Sequence, residues 1–201
     1  HDFFPSIRSP RVRAAFREMG YSRPIAKVLA ELCCLRCCLP QGAPTSPALS
    51  NIIAYPMDKK MMALAGEYGL VYTRYADDLT FSGDYLPKDE VLVRIHRIIR
   101  EEGFTMNVKK TRFLSEHKRK IITGVSVSSG KKMTLPKVKK REIRKNVHYV
   151  LTKGLVGHQE HIGSTDPVYL KRLLGSLCYW RSIEPDNRYV SDSITALKRL
   201  M

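Results

Sequence analysis

The stretch YTRYADDLTF, residues 72–81, sets two carboxylates, Asp77 and Asp78, between runs of Tyr, Thr, Leu and Phe. Aromatic and β-branched residues favour strands, whereas Asp is depleted from them. The wider string LVYTRYADDLTFSG therefore predicts a hairpin with Ala76-Asp77-Asp78 as a charged tip. Adjacent carboxylates repel each other. A fold keeps such a tip either as a solvated turn, where Asp is common, or as a holder for a cation. Mg²⁺ suits the second use, because it takes few protein oxygens and completes its shell with water and phosphate.

Upstream of the hairpin, SPRVRAAFREMG predicts a helix with Ser9 as N-cap, Pro10 at the first position, Val12, Ala15, Phe16 and Met19 on one face, and Gly20 as stop. SRPIAKVLAELC repeats the device with Ile25, Val28, Leu29 and Leu32 apolar. LPQGAPTSPALSN then predicts a Pro/Gly loop feeding a long helix capped near Ser46. Downstream, PKDEVLVRIHRIIREEG is an amphipathic helix presenting Val91, Ile95, Ile98 and Ile99 and ended by Gly103. Short strands are expected in FTMN, KTRFL, KIITGVSV and KMTLP, and the opening DFFPSI reads as a strand end and a turn. From Pro136 the pattern turns helical to the end, so the expected division is residues 1–135 and 136–201. The fold class is α+β.

At 201 residues, 43% of them hydrophobic and 27% charged, the chain is expected to form one sizeable core, or one domain and a smaller appendage. No apolar run is long enough to cross a bilayer and no secretory signal is recognised, so a cytoplasmic protein without membrane contact is expected. The 35 Lys and Arg against 19 Asp and Glu leave a net charge of +16, which points to a polyanionic partner. Residues 109–145 hold fourteen Lys and Arg against Glu116 and Glu142, so the charge is directed rather than scattered. Within that segment Lys137, Lys140, Arg141, Arg144 and Lys145 recur at helical spacing opposite Val138, Ile143, Val147 and Val150. They are candidates for phosphate contacts on a nucleic acid, which the resemblance given below would make RNA or an RNA/DNA hybrid. Trp180 shares helical spacing with Leu173, Leu174 and Leu177, which favours a core role over base stacking. Cys33, Cys34, Cys37 and Cys38 lack the usual spacing of a zinc site and are expected as buried reduced thiols, and His158 and His161 as loop residues rather than ligands.

Several strings together carry a resemblance. YADD at 75–78 and LPQGAPTSPALSN at 39–51 resemble two successive motifs of the reverse transcriptases, while RYADDLTFSG, MNVKKT and ITGVSV resemble the bacterial retron type. The blocks stand in the family's order, and with DFFPSI the likeness covers nearly all of the chain. It implies a right-hand polymerase, with a palm of antiparallel sheet and packed helices followed by a helical thumb. It also implies two-metal RNA-directed DNA synthesis on Mg²⁺, with Mn²⁺ as an alternative, acting on dNTPs and a structured RNA that is template and primer. A role in antiviral defence and an effector partner would come with the resemblance alone. Asp77 would bind the metals and Asp78 assist; Gln41 and Gly42 would line the nucleotide pocket, with Phe3 and Phe4 as the aromatics of the first block. Phe4 would exclude a ribose 2′-OH. Lys110 would sit near the triphosphate as a proton donor, or equally as a plain phosphate contact.

The first catalytic block departs from the family pattern, since its metal-binding Asp would fall two positions before His1. Asp2 fills a variable position of that block. An incomplete palm-and-thumb piece without fingers, unable to extend a primer alone, is therefore expected. The alternative is a non-catalytic, polymerase-derived module that binds RNA or a hybrid.

Overall fold

A computed structural model of the chain describes residues 2–115, 118–128 and 132–200. Glu116 and Lys131 of the basic segment, and His1, lie outside the described residues. The chain divides into two compact units, His1–Phe113 and Leu114–Met201.

The first unit begins with a single helical turn, α1 (Phe3–Ser6), where a strand end was expected. Then follow α2 (Ser9–Glu18), α3 (Arg23–Cys33), the long α4 (Thr45–Glu67), the hairpin strands β1 (Val71–Tyr75) and β2 (Asp78–Ser82), and α5 (Lys88–Glu101). Pro in the first turn of α2 and of α3 starts those helices, because a missing N–H costs nothing there. Ser9 is the first residue of α2 rather than its cap. Ser46 does not cap α4 either; its hydroxyl donates to the Pro40 carbonyl at 2.7 Å and ties the preceding loop to the helix.

At about 35 Å, α4 is the spine of this unit. Leu49 and Ile53 join Ile7, Val12, Ala15, Ala30 and Leu39 in one buried cluster, with Phe3, Phe4 and Phe104 packed against it. A turn further along, Ala54, Met57 and Met61 join Ile99 of α5, with Tyr72, Leu79 and Phe81 of the hairpin laid on top. Because α4 is covered on two sides, its apolar residues do not fall on a single stripe.

The outward stripe of α3 is the main departure in this unit. Ala26 and Ala30 are buried, while Ile25, Val28 and Leu32, expected as the core face, are 51%, 54% and 78% exposed. Small residues allow α3 to approach α2 closely, and the larger ones are left outside. All five cysteines are free; Cys33 at the end of α3 and Cys34 and Cys38 beyond it are half-buried, but Cys37, expected as buried, is exposed, as is Cys178. Arg36 and Cys37 both have positive φ, 51° and 61°, in a tight turn closed by Leu35 and Cys38.

In the second unit, strands β3 (Ile121–Ile122) and β4 (Val125–Ser126) form a small hairpin turned by Thr123 and Gly124, both at positive φ, as a two-residue hairpin requires. The short strands expected in FTMN, KTRFL and KMTLP are absent among the described residues, where only an isolated bridge between Thr134 and Ser126 marks the last of them. Three helices follow: α6 (Lys137–His161), kinked at Gly154, where φ is 75°; α7 (Tyr169–Ile183); and α8 (Arg188–Lys198). Their core holds Ile143, Val147, Val150, Leu173, Leu177, Val190, Ile194 and a fully buried Trp180, which packs in the core as its spacing suggested. Val138, expected with the apolar face of α6, is instead 71% exposed. His158 and His161 lie on α6 rather than in a loop, and His158 is buried with Nε2 at 2.8 Å from the Tyr169 hydroxyl.

The fold is thus a mixed, mainly helical chain with small antiparallel sheets. Among the described residues, no helix is long and apolar enough to cross a membrane.

Candidate functional site

Alternation along a strand sends successive side chains to opposite faces. In the first hairpin, where Tyr72 pairs with Phe81 and Arg74 with Leu79, one face carries these four residues toward α4 and α5. The other face carries Thr73, Tyr75, Asp78 and Thr80. Tyr75 and Asp78 are the last paired residues, so Ala76 and Asp77 alone make the turn. Asp78 therefore starts β2 instead of sitting in the tip, and both carboxylates are exposed. Ala76 has φ of 51°, a left-handed conformation that an L-residue adopts at a cost.

An ionic network holds this turn from the inward face. Arg74 and Asp58 of α4 meet through Nε to Oδ1 at 2.8 Å and Nη2 to Oδ2 at 2.6 Å. Nη1 of Arg74 donates to Asn51 Oδ1 at 3.0 Å and to the Ala76 carbonyl at 3.1 Å. The Tyr72 hydroxyl donates to Asp58 Oδ1 at 2.7 Å. Burial alone would push the Asp58 carboxyl up, but the hydrogen bonds from Arg74 and Tyr72 outweigh it and hold it below the ordinary carboxylate range. Burial and the same carboxylate push the Tyr72 hydroxyl well above its ordinary value. Sequence reasoning passed over Asp58, Asn51 and Arg74. The available signal was a charged residue, Arg74, on the same strand face as the apolar-packing Tyr72.

The other candidates in this unit hang on the same helix. Gln41 and Gly42 form an exposed turn just before α4, with Gly42 at φ of 87°. Leu39 donates its N–H to the Ile7 carbonyl at 3.1 Å, which fastens that loop to the segment after α1. Phe3 and Phe4 are half-buried against the cluster that contains Leu49, with ring centroids 5.5 Å apart, and Phe3 lies 5.6 Å from Phe104. Lys110 is exposed on a short 3₁₀ turn, Val108–Lys110. One helix thus anchors the turn bearing Asp77, the Gln41-Gly42 loop and the paired phenylalanines.

Two exposed carboxylates match the sparse protein ligation that Mg²⁺ accepts, with the rest of its shell left to water and phosphate. Among the described residues, no group of three or more His, Cys, Asp or Glu side chains is gathered as a metal centre.

The basic candidates belong to the second unit. Lys137, Arg141, Arg144 and Lys145 are exposed on the first half of α6. Lys140 is different, with its Nζ 2.6 Å from Glu184 and 5.7 Å from the centre of the Trp180 ring. Arg144 lies over Trp180 and Tyr189, at 5.4 Å and 5.0 Å.

Known proteins resemble this chain closely. The family described as "Reverse transcriptase (RNA-dependent DNA polymerase)" matches residues 10–150. The Retron Ec86 reverse transcriptase of Escherichia coli is 39% identical over 163 residues, covering 80% of this chain and 50% of the relative. The Retron Mx65 reverse transcriptase of Myxococcus xanthus is 35% identical over 205 residues, covering 92% of this chain and 45% of the relative. The chain therefore spans about half the length of these curated relatives.

Proposed function

We propose, from the premise that this chain belongs to the reverse transcriptase family and within it to the retron type, that the whole protein performs RNA-directed DNA synthesis with Asp77 and Asp78 as metal-holding carboxylates. The observation that carries this reading is a pair of exposed, adjacent carboxylates on a rigidly anchored hairpin, fastened to the same helix that follows the Gln41-Gly42 turn. When bound, Mg²⁺ supplies charge neutralisation at the transferred phosphate and activation of the attacking hydroxyl. Asp77 holds the ions and Asp78 assists. Gln41 and Gly42 border the incoming dNTP, Phe3 and Phe4 supply the surface against its sugar, and Lys110 meets the triphosphate. In this reading residues 1–135 are palm and 136–201 thumb.

The exposed basic row of α6 supports a grip on an RNA template or an RNA/DNA hybrid, because point charges along a helix follow phosphates without reading sequence. Lys137, Arg141 and Lys145 make those contacts; Lys140 and Arg144 serve the same face while also covering Trp180.

Primer extension by the whole protein on a structured RNA tests the proposal. Asp77→Asn is expected to lower kcat by about a hundredfold or more, the scale of the several kcal/mol a metal site contributes to transition-state stabilisation. Asp78→Asn is expected to lower it less. Retention of wild-type rate by Asp77→Asn overturns the assignment, and a wild-type protein that grips the hybrid without extending it supports a binding module instead.

A further inference from the structure

The turn that carries Asp77 is strained at Ala76, and a strained turn persists only where its surroundings over-determine it. Arg74 is the side chain that reaches that turn from beneath. It is nearly sealed from solvent, with its side chain 7% exposed and that of Asp58 18% exposed. The two-pronged contact with Asp58 fixes the guanidinium plane, since a planar fork meeting a carboxylate at two points has little freedom left. Asn51, two turns before Asp58 on the same face of α4, receives Nη1. The remaining direction of Nη1 then falls on the Ala76 carbonyl.

The charge of Arg74 is matched by Asp58, so its influence on Asp77 is geometric more than electrostatic. We propose that Arg74, held in plane by Asp58 and Asn51 of α4, is a positioning residue that locks the Ala76-Asp77 turn and so fixes where the Asp77 carboxylate is presented. The inference rests on the reading of Asp77 as a metal-holding carboxylate, but the lock itself is a property of the turn.

The decisive variant in the whole protein is Arg74→Lys, which keeps the charge and removes the fork, leaving no group able to hold Asp58 and the Ala76 carbonyl at once. Asp58→Asn is the second variant, close in size and still able to accept a hydrogen bond, and it decides the matter should Arg74→Lys not fold. Four quantities are read: amide hydrogen exchange of the peptide spanning residues 75–79 without metal or nucleotide, the Mg²⁺ dependence of extension, kcat and KM for dNTP, and Tm.

For Arg74→Lys, exchange at residues 76–78 is expected to rise while the amides of α4 and α5 keep their protection. Half-saturating Mg²⁺ should increase several-fold, and kcat should fall about 10- to 100-fold with KM little changed, the scale of a displacement near 1 Å at a reacting group. Asp58→Asn should move the same readouts in the same direction by less. Turn exchange, Mg²⁺ dependence and kcat all within about twofold of wild type overturn the proposal. So does exchange that rises equally through α4, β1, β2 and α5, which marks a merely structural ion pair. If the wild-type protein makes no DNA, the polymerase reading fails, while the exchange data still decide whether Arg74 locks the turn.

Discussion

Glu184 joins the three last helices through one carboxylate, and its replacement by Gln gives a sharp test of that junction. Its Oε1 accepts the Leu135 N–H at 2.9 Å and pairs with Lys140 Nζ at 2.6 Å, and its Oε2 accepts Asn187 Nδ2 at 3.0 Å. Asn187 in turn caps α8 by accepting the Val190 N–H. Burial opposes ionisation of Glu184, yet the hydrogen bonds from Lys140, Leu135 and Asn187 prevail and bring its pKa from 4.5 down to about 2. The side chain is 15% exposed, so solvent screens this interaction little. At about 1.4 kcal/mol per pH unit, the ionised form contributes up to about 3 kcal/mol. A depressed carboxyl stabilises the fold above the unfolded-state pKa, and that contribution is lost as pH falls from 4.5 toward 2. Gln keeps an acceptor for Leu135 but loses the charge, so Glu184→Gln should cost about 2 kcal/mol at pH 7, or about 4–8 °C in Tm for a chain of this size. By pH 3.5 the wild-type advantage should have shrunk by about half. The assay is direct, because Trp180 is the single tryptophan of the chain and its ring lies beneath Lys140. Urea unfolding followed by its fluorescence at pH 7 and pH 3.5 gives both numbers. A Glu184→Gln deficit of the same size at both pH values refutes the reasoning.

Replacing Lys137, Arg141 and Lys145 together by Ala should weaken binding to an RNA/DNA hybrid and flatten its salt dependence by about three phosphate contacts, with Tm kept. Lys140→Ala should instead lower Tm, since it strands the Glu184 carboxylate; filter binding across a salt series and thermal unfolding separate the two classes. Tyr72→Phe removes a donor from Asp58 and should destabilise by about 1 kcal/mol, measured by urea unfolding. Because the hydroxyl titrates well above its ordinary range, that loss should be constant between pH 6 and pH 9.

The hairpin that carries Asp77 and Asp78 is legible in the sequence because two β-rich runs flank a charged pair, and α2, α5 and α7 are legible because Pro, Gly and a 3.6-residue period punctuate them. Periodicity tells which residues share a face, but not which way the face is turned. Hence the apolar spacing of α3 points to Ile25, Val28 and Leu32 as its inner face, although close packing against α2 selects Ala26 and Ala30. Arg74 and Asp58 were invisible for a related reason: they stand 16 residues apart, on a strand and a helix, and only the packing of the hairpin on α4 brings them together. The same limit applies to α6. A count of Lys and Arg sums charge without regard to partners, and Lys140 looks like its neighbours until a later helix brings Glu184 to 2.6 Å from its ammonium. Whether a cation faces phosphate or closes an internal pair is decided by carboxylates distant in sequence. A basic helix read from sequence alone therefore overstates its free charge wherever such a carboxylate arrives, and Lys140 is the position on α6 where the two roles of a lysine can be separated by experiment.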